Sequence, residues 1–118
     1  MQKNYLNFER GEIVILKLPF TDLIRKKLRP VLVINNKNLS NLSKDIIVLK
    51  ISSQRQLHKY EVKIDKEDLE SGKIKKASYI HCHSIFTVEK ALIFAKAGKI
   101  NPKKLEEVIK ILNKIFVD

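Results

Sequence analysis

The chain has 118 residues, of which 44% are hydrophobic and 31% charged, and this composition predicts one globular domain spanning residues 1–118. With 24 Lys and Arg against 13 Asp and Glu, its net charge of +11 favours a nucleic acid or an acidic protein as partner, although genome composition or thermal adaptation would give the same balance. A single cysteine and the lack of an apolar run of signal-peptide or membrane-span length argue against a disulfide-rich secreted protein and a membrane protein, so the expected location is cytoplasmic.

Four strands are predicted in the first half of the chain. The β-branched run GEIVILKL begins at Gly11 and ends before Pro19, and a charged connector, expected to be a mobile loop, then extends to Pro30. The apolar runs VLVIN and IIVLKIS have the character of buried strands, whereas YEVKI alternates like a half-exposed strand. These four strands cover residues 11–18, 31–35, 46–52 and 60–64.

The second half of the chain predicts further strands and a terminal helix. Residues 65–72 combine an Asp at a helix N-cap position with a following Gly, which predicts one or two helical turns. Residues 77–88 alternate like a fifth strand, and residues 90–100 favour a strand over a helix. Residues 101–116 begin with Asn-Pro and carry apolar residues at helical spacing, so five or six strands and one C-terminal helix predict a mainly β fold built as a small, strongly bent antiparallel barrel.

His81, Cys82 and His83 stand close together in the predicted fifth strand. Alternation sends Cys82, with Ile80, to one face and both histidines to the other, which is poor geometry for a single metal ion. The sequence also lacks a phosphate-binding glycine loop, paired CxxC motifs and HExxH, and no nucleophile-elbow sequence supports a serine triad on Ser52. We therefore expect neither a metal nor another cofactor.

A more specific pattern begins at the first strand and continues to the end of the fifth. Its elements are Gly11-Glu12, Pro19-Phe20-Thr21, Lys26-Lys27, Arg29-Pro30, Ile51-Ser52-Ser53-Gln54 and the run SYIHCHSIFTVEK from Ser78 to Lys90. In this order and spacing the elements resemble the MazF/PemK-like toxins of type II toxin–antitoxin systems. The resemblance covers nearly the whole chain.

The resemblance implies an SH3-like barrel of the CcdB/PemK type, a homodimer, and metal-independent cleavage of single-stranded RNA through attack of a ribose 2′-hydroxyl on the neighbouring phosphate. It also implies an acidic antitoxin protein as partner, DNA contacts only indirectly through that antitoxin, and no membrane. By motif the catalytic residues are Arg29, whose guanidinium suits the charge of a phosphoryl transition state, and Ser52, whose hydroxyl would contact the phosphate or orient the 2′-hydroxyl. A surface salt bridge for Arg29 and a strand-end turn for Ser52 are the ordinary alternatives.

Six further residues are expected to bind the substrate, namely Thr21, Lys26, Lys27, Ser53, Gln54 and His83. Lys26 and Lys27, placed in the first long loop, would follow the RNA backbone, or else belong to a merely solvated loop. Ser53 and Gln54 would assist the catalytic serine. His83 stands where related toxins carry an acidic or polar residue, and an imidazole there suits proton transfer, with a simple buried or exposed histidine as the alternative.

Two alternatives to RNA cleavage stay open. A catalytically inactive module on the same barrel, binding nucleic acid or an antitoxin, fits the serine at position 52 in place of threonine and the departure at His83. A toxin that acts on a protein such as DNA gyrase is the other alternative, because a related fold does so and fold does not dictate function. The presence of both Arg29 and Ser52 argues against this second alternative.

Overall fold

A computed structural model describes residues 7–19, 26–56 and 58–117 of the chain. Within these ranges the strands are β1 (Glu12–Pro19), β2 (Lys26–Val33), β3 (Asp45–Ser52), β4 (Glu61–Ile64), β5 (Leu69–Gly72), β6 (Ser78–Glu89) and β7 (Ile93–Ile100). The α-helices are α1 (Lys37–Leu42) and α2 (Pro102–Phe116), and short 3-10 turns occupy His58–Tyr60, Lys66–Asp68 and Lys90–Leu92. Neither α-helix has the length and hydropathy of a membrane-spanning segment.

The strands form one antiparallel sheet in the order β4-β6-β3-β2-β1-β7-β5, which curls into a half-barrel. The predicted mainly β class with a C-terminal helix is confirmed. β1 and β2 make a continuous hairpin register that runs from Ile13 opposite Leu32 to Pro19 opposite Lys26. β6 has 12 residues and joins two parts of the sheet, because it pairs with β3 along one edge and with β4 along the other.

Apolar side chains are buried on both faces of the sheet, since successive residues of each strand point to opposite sides. The first core cluster includes Ile13, Leu32 and Ile80 and packs under α2, which contributes Val108 and Leu112. The second core cluster lies on the other face and consists of Phe8, Val14, Leu16, Val31, Val33, Ile46 and Val48. The two clusters fix which face every residue of β1, β2 and β3 occupies.

The predicted C-terminal helix is confirmed. Pro102 is its first residue, and the side-chain oxygen of Asn101 accepts a hydrogen bond from the Lys104 amide at 2.8 Å. This cap satisfies one of the amides that a helix N-terminus leaves without an intrahelical partner, while proline fits a position that needs no amide.

The connector predicted between Pro19 and Pro30 is shorter than expected. β2 begins at Lys26, so Lys26 and Lys27 are strand residues and their predicted position in a loop is wrong. The pairing of this part of β2 with β1 uses main-chain groups, which leave no hydrophobic signature in the run KKLRP. Thr21 falls in residues 20–25, outside the described residues, so its predicted role stays a prediction.

Two short elements differ from the predictions. Helix α1 lies in a segment read as a polar connector, and it is short enough that only its cap, where Asn36 Oδ1 accepts from the Leu39 amide at 2.9 Å, marks it in the sequence. The helical turn predicted after Asp65 is confirmed at Lys66–Asp68, but Leu69–Gly72 is strand β5 and not a continuation of that helix. Gly72 thus marks close packing of β5 on β7, not a helix end.

Candidate functional site

A cavity of about 530 Å³ opens where the pairing of β2 with β3 stops, next to the last residues of β3. Its polar lining consists of Arg29, Ser52, Ser53, Lys73, Lys75, Lys76 and Ser78. Its apolar lining consists of Ile13, Ile15, Leu28, Pro30, Ile51, Ile64, Ile74 and Ala97. The cavity therefore joins four cationic side chains and three hydroxyls to an apolar surface, a combination suited to an anionic ligand with a hydrophobic part.

The pairing of β2 with β3 brings the two predicted catalytic residues to the same level. The last paired residues are Val31 and Lys50, and the same register continued by two residues sets Arg29 opposite Ser52. Because strand residues two apart share a face, alternation places both residues on the side of the second core cluster. The apolar lining residues Ile13, Ile51 and Ile64 belong to the first core cluster, so the cavity is bordered by residues of both faces.

Pro30 accounts for the opening between these two strands. The pairing of β2 with β1 continues past Pro30, which lies opposite Ile15, whereas the pairing with β3 ends at Val31. Proline has no amide hydrogen with which to extend a ladder of hydrogen bonds. Beyond Pro30, β2 and β3 are therefore no longer hydrogen-bonded to each other, and the cavity begins there.

Arg29 is half-buried and lies opposite Leu16 of β1. It forms no ion pair with any residue in the described ranges, so the salt bridge that would explain it as an ordinary surface arginine is not seen there. A guanidinium in this position presents several fixed N–H donors to an oxyanion.

Ser52 is the last residue of β3. It makes the kind of turn contact that explains a serine at a strand end without any catalytic role. Its Oγ accepts a hydrogen bond from the Gln54 amide at 3.1 Å. This contact uses an acceptor lone pair of the hydroxyl and leaves the hydroxyl hydrogen to be donated elsewhere. Ser53 lines the cavity beside it, whereas Gln54 does not, and the main-chain amide of Gln54 makes the turn contact.

Lys73, Lys75 and Lys76 are cavity residues that the motifs did not identify. They lie in the connection from β5 to β6, which crosses the cavity because β5 and β6 are far apart in the sheet order. The run GKIKKAS was a detectable signal of positive charge, but its position at the cavity depends on strand pairing distant in sequence.

The structure does not bring every predicted binding residue to this cavity. His83 is not among the lining residues, and its Nδ1 is buried without a hydrogen-bond partner in the described ranges. The His83 ring instead meets the His81 ring edge-on, with the ring centroids 5.9 Å apart. Lys26 and Lys27 are described only through their backbone in β2.

A buried ionisable cluster lies under the turn that follows Ser52. The side chains of Glu61 and His81 are 1% and 0% exposed, and His81 Nδ1 lies 3.1 Å from Glu61 Oε2. Burial lowers the pKa of His81, and the charges of Lys50 and His83 act in the same direction, while Glu61 and the Gln54 backbone oppose it. The sequence predicted β4 as half-exposed, and this is wrong at Glu61, which pairing with β6 and the turn above it bury.

Cys82 lies on the opposite side of β6 from this cluster. Ile80 and Cys82 belong to the first core cluster, in agreement with the predicted alternation of β6. Burial, helped by the charge of Glu61, raises the pKa of the Cys82 thiol to about 12. A thiol in this state is a packing group and not a nucleophile.

Comparison with known proteins identifies relatives of this fold. The family described as PemK-like, MazF-like toxin of type II toxin–antitoxin system matches residues 9–116. A sequence search of curated proteins found no match. The chain therefore shares a family pattern over most of its length.

Several solved structures have the same fold. Toxin MazF-mt6 of Mycobacterium tuberculosis is 17% identical with a TM-score of 0.72, over 89% of this chain and 95% of that one. An endoribonuclease in complex with its cognate antitoxin, from a mycobacterial species, is 14% identical with a TM-score of 0.71, over 92% and 94%. A MazE–MazF complex of Deinococcus radiodurans is 12% identical with a TM-score of 0.75, over 92% and 95%.

Proposed function

Because the chain belongs to the PemK-like, MazF-like toxins of type II toxin–antitoxin systems, we propose that it is an endoribonuclease that cuts single-stranded RNA. In the proposed reaction a ribose 2′-hydroxyl gives its proton to water and attacks the adjacent phosphorus. The bond from phosphorus to the 5′-oxygen breaks, and the 5′-oxygen takes up a proton from water. The products carry a 2′,3′-cyclic phosphate and a 5′-hydroxyl, and no metal is required. The observation that carries the proposal is that Arg29 and Ser52 line one lysine-bordered cavity.

In this reaction Arg29 stabilises negative charge. The attack adds a fifth oxygen to phosphorus, and the extra charge spreads over the non-bridging oxygens, where a fork of N–H donors is most effective. Arginine has too high a pKa in general to act as a base, so its role is electrostatic. The lack of a carboxylate partner in the described ranges supports this role, because an arginine already paired with a carboxylate would have less of its charge to offer.

Ser52 orients the reacting groups. The Gln54 amide donates to Ser52 Oγ, so the hydroxyl hydrogen is not used in this contact and can be donated to a phosphate oxygen or to the attacking 2′-oxygen. Fixing the donor before the substrate arrives lowers the cost of reorganisation during the reaction.

The lysines hold the RNA. Lys73, Lys75 and Lys76 add positive charge to the lining of the cavity, and such charge attracts a phosphate backbone regardless of base sequence. The exposed position of these side chains suits contacts that form and break as the strand passes.

We also propose that an acidic antitoxin binds the same cavity. A related endoribonuclease was solved with its cognate antitoxin, and MazF of Deinococcus radiodurans with MazE. The lysines would meet acidic residues of such a partner, and the apolar lining would accept its hydrophobic side chains. We further propose that the protein forms a homodimer, that residues 1–118 form one domain, and that it contacts DNA only through the antitoxin.

A catalytically inactive nucleic-acid-binding module is the second candidate. The observation in its favour is the hydrogen bond between Ser52 and Gln54, which explains a serine at this place without catalysis. A module of this kind needs the lysines but does not need Arg29 in contact with a reacting phosphate.

The experiment that separates the two functions compares Arg29→Ala with wild-type protein on a long single-stranded RNA in EDTA. Ribonuclease activity predicts discrete cuts by wild type and a loss of at least about 100-fold in Arg29→Ala. Arg10→Ala is the matched control, because Arg10 is exposed and contacts the Ile34 carbonyl away from the cavity. Equal cutting by wild type and Arg29→Ala would refute the role of Arg29, and RNA binding without cuts would favour the inactive module.

A further inference from the structure

Glu61 and His81 form a buried ionisable pair for which the proposed reaction gives no role. Their side chains are almost completely inaccessible to solvent, and neither lines the cavity. Burying a carboxylate costs free energy unless charged or hydrogen-bonding groups compensate it, and apolar residues of the same volume often stabilise a fold equally well. A buried Glu61 therefore calls for an explanation in terms of geometry.

The pair lies one row away from Ser52 on the same face of the sheet. Glu61 of β4 is opposite His81 of β6, which is opposite Lys50 of β3. Two residues further along β3, Ser52 is opposite Tyr79 of β6. Residues two apart in a strand share a face, so Glu61 and His81 lie directly beside the row that contains Ser52.

The segment after Ser52 folds back over this row and is held there by Glu61. Oε2 of Glu61 accepts a short hydrogen bond from the Gln56 amide, and Oε1 lies 3.7 Å from Arg55 Nε. The guanidinium of Arg55 also stacks on the ring of Tyr79, with 5.1 Å between its central carbon and the ring centroid. The turn that contains Ser53 and Gln54 is thus anchored at its start by the strand and at its end by Glu61.

We infer that Glu61, supported by His81, is a positioning residue that fixes the turn at residues 53–56 and thereby holds the hydroxyls of Ser52 and Ser53 at the cavity. The inference rests on the proposed function, because the effect of Glu61 is measured as a change in RNA cleavage. Glu61 does not touch the substrate in this account. It acts through its contacts with Gln56 and Arg55, which hold the backbone of residues 53–56 in place. The hydrogen bond between Ser52 and Gln54 depends on that backbone conformation.

The test is Glu61→Gln, with kcat and KM measured on an RNA oligonucleotide and the Gln56 amide followed by NMR. Glutamine keeps the shape but loses the charge, so we expect the Gln56 amide proton to shift upfield and to exchange faster. We also expect kcat to fall about 10- to 100-fold while KM changes less than about twofold, because a misplaced donor affects the transition state more than binding. Glu107→Gln is the control, since its carboxylate pairs with Lys104 on the exposed side of α2 and has no contact with the turn.

A second variant keeps the inference testable if Glu61→Gln does not fold. Arg55→Lys retains the charge but loses the planar fork that contacts both Glu61 and Tyr79, and Arg55 is exposed enough to be replaced without unfolding. We expect a severalfold lower kcat with little change in KM.

The outcomes separate this inference from the proposed function. If wild type cleaves RNA and Glu61→Gln, or Arg55→Lys in its place, cleaves at the wild-type rate, the positioning role is refuted and the ribonuclease stands. A loss confined to KM would also refute it, because that result indicates a binding effect. If wild type does not cleave RNA, the proposed function fails first and the inference falls with it.

Discussion

Arg29 of β2 lies level with Ser52 of β3, two residues beyond the last backbone pair of the two strands. The strands part there because Pro30 cannot extend the ladder, and the cavity opens at that point. An Arg-Pro pair in this position thus has two separate consequences. The proline ends the pairing with β3, and the arginine is left at the edge of the resulting opening.

Ser52→Ala should reduce RNA cleavage about 10- to 100-fold, because it removes the hydroxyl that in the proposed reaction contacts the reacting phosphate. The free energy of unfolding should fall by less than about 1 kcal/mol, since the Gln54 amide is exposed and can bind water instead. Cleavage assays and urea denaturation check the two effects. Ser43→Ala is the control, because Ser43 Oγ accepts from the Asp45 amide at 2.9 Å in the same kind of turn. Equal cleavage by both variants would contradict a catalytic role for Ser52.

Replacing Lys73, Lys75 and Lys76 by Gln should weaken RNA binding mainly at low salt. Three fewer phosphate contacts on a single strand should lower the slope of log K against log salt by about 2. Fluorescence anisotropy with a labelled oligonucleotide at several salt concentrations measures this slope. The control replaces three exposed lysines of α2, Lys103, Lys110 and Lys114, and so removes the same charge away from the cavity. A similar change of slope in both variants would indicate nonspecific attraction only.

The stability of the protein should decrease on mild acidification because of His81. Burial lowers the pKa of His81 below its ordinary value of 6.5, against the opposing effect of Glu61, so the unfolded chain takes up a proton more readily than the folded one. The free energy of unfolding should therefore be independent of this group above pH 6.5 and should fall as the pH drops from there towards the folded-state pKa.

Urea denaturation between pH 7.5 and pH 5.5 checks this dependence with wild type, His81→Gln and His58→Gln. The hydrogen bond to Lys99 lowers the pKa of Glu9, and this shift affects stability only below pH 4.5. Glu9 therefore does not contribute to the pH dependence between pH 7.5 and pH 5.5. We expect His81→Gln to have a flatter pH dependence than wild type and His58→Gln to resemble wild type, since His58 is exposed. An unchanged slope in His81→Gln would assign the pH dependence to another group.

Gly72→Ala should destabilise the fold more than Gly11→Ala. Both glycines have positive φ, 83° and 97°, which costs an L-residue about 1–2 kcal/mol. At Gly72 an added Cβ would also lie 2.1 Å from the Ala97 carbonyl oxygen, whereas at Gly11 its nearest neighbour is a Leu105 methyl at 3.6 Å. We expect a loss of more than about 3 kcal/mol for Gly72→Ala, from strain and overlap together, in chemical denaturation. Equal losses would mean that β5 shifts away from β7 at little cost.

Patterns local in sequence predicted much of this molecule. The spacing of apolar residues and the Asn-Pro start predicted α2, and alternation predicted the faces of Ile80 and Cys82 in β6. The order of motifs predicted that Arg29 and Ser52 belong together, which the register of β2 and β3 supports.

Features that depend on contacts distant in sequence were missed. The lysines of the β5–β6 connection reach the cavity only because β5 pairs with β7, at the far edge of the sheet from β4. The alternation of YEVKI predicted a half-exposed strand, but Glu61 is buried, because its strand pairs with β6 and the turn after Ser52 folds over it. Strand β5 has four residues, too few for a periodic signal to distinguish a strand from a helical turn.

The most direct test of the central claim is cleavage of a matched pair of oligonucleotides that differ in one atom. After the cut site has been mapped on a long RNA, one oligonucleotide carries ribose at that site and the other a single 2′-deoxyribose, and both are incubated with wild-type protein in EDTA. Attack by the 2′-hydroxyl predicts that the ribose substrate is cut to a 2′,3′-cyclic phosphate, while the deoxy substrate binds equally well and stays intact. Cutting of the deoxy substrate at the same site would contradict the account.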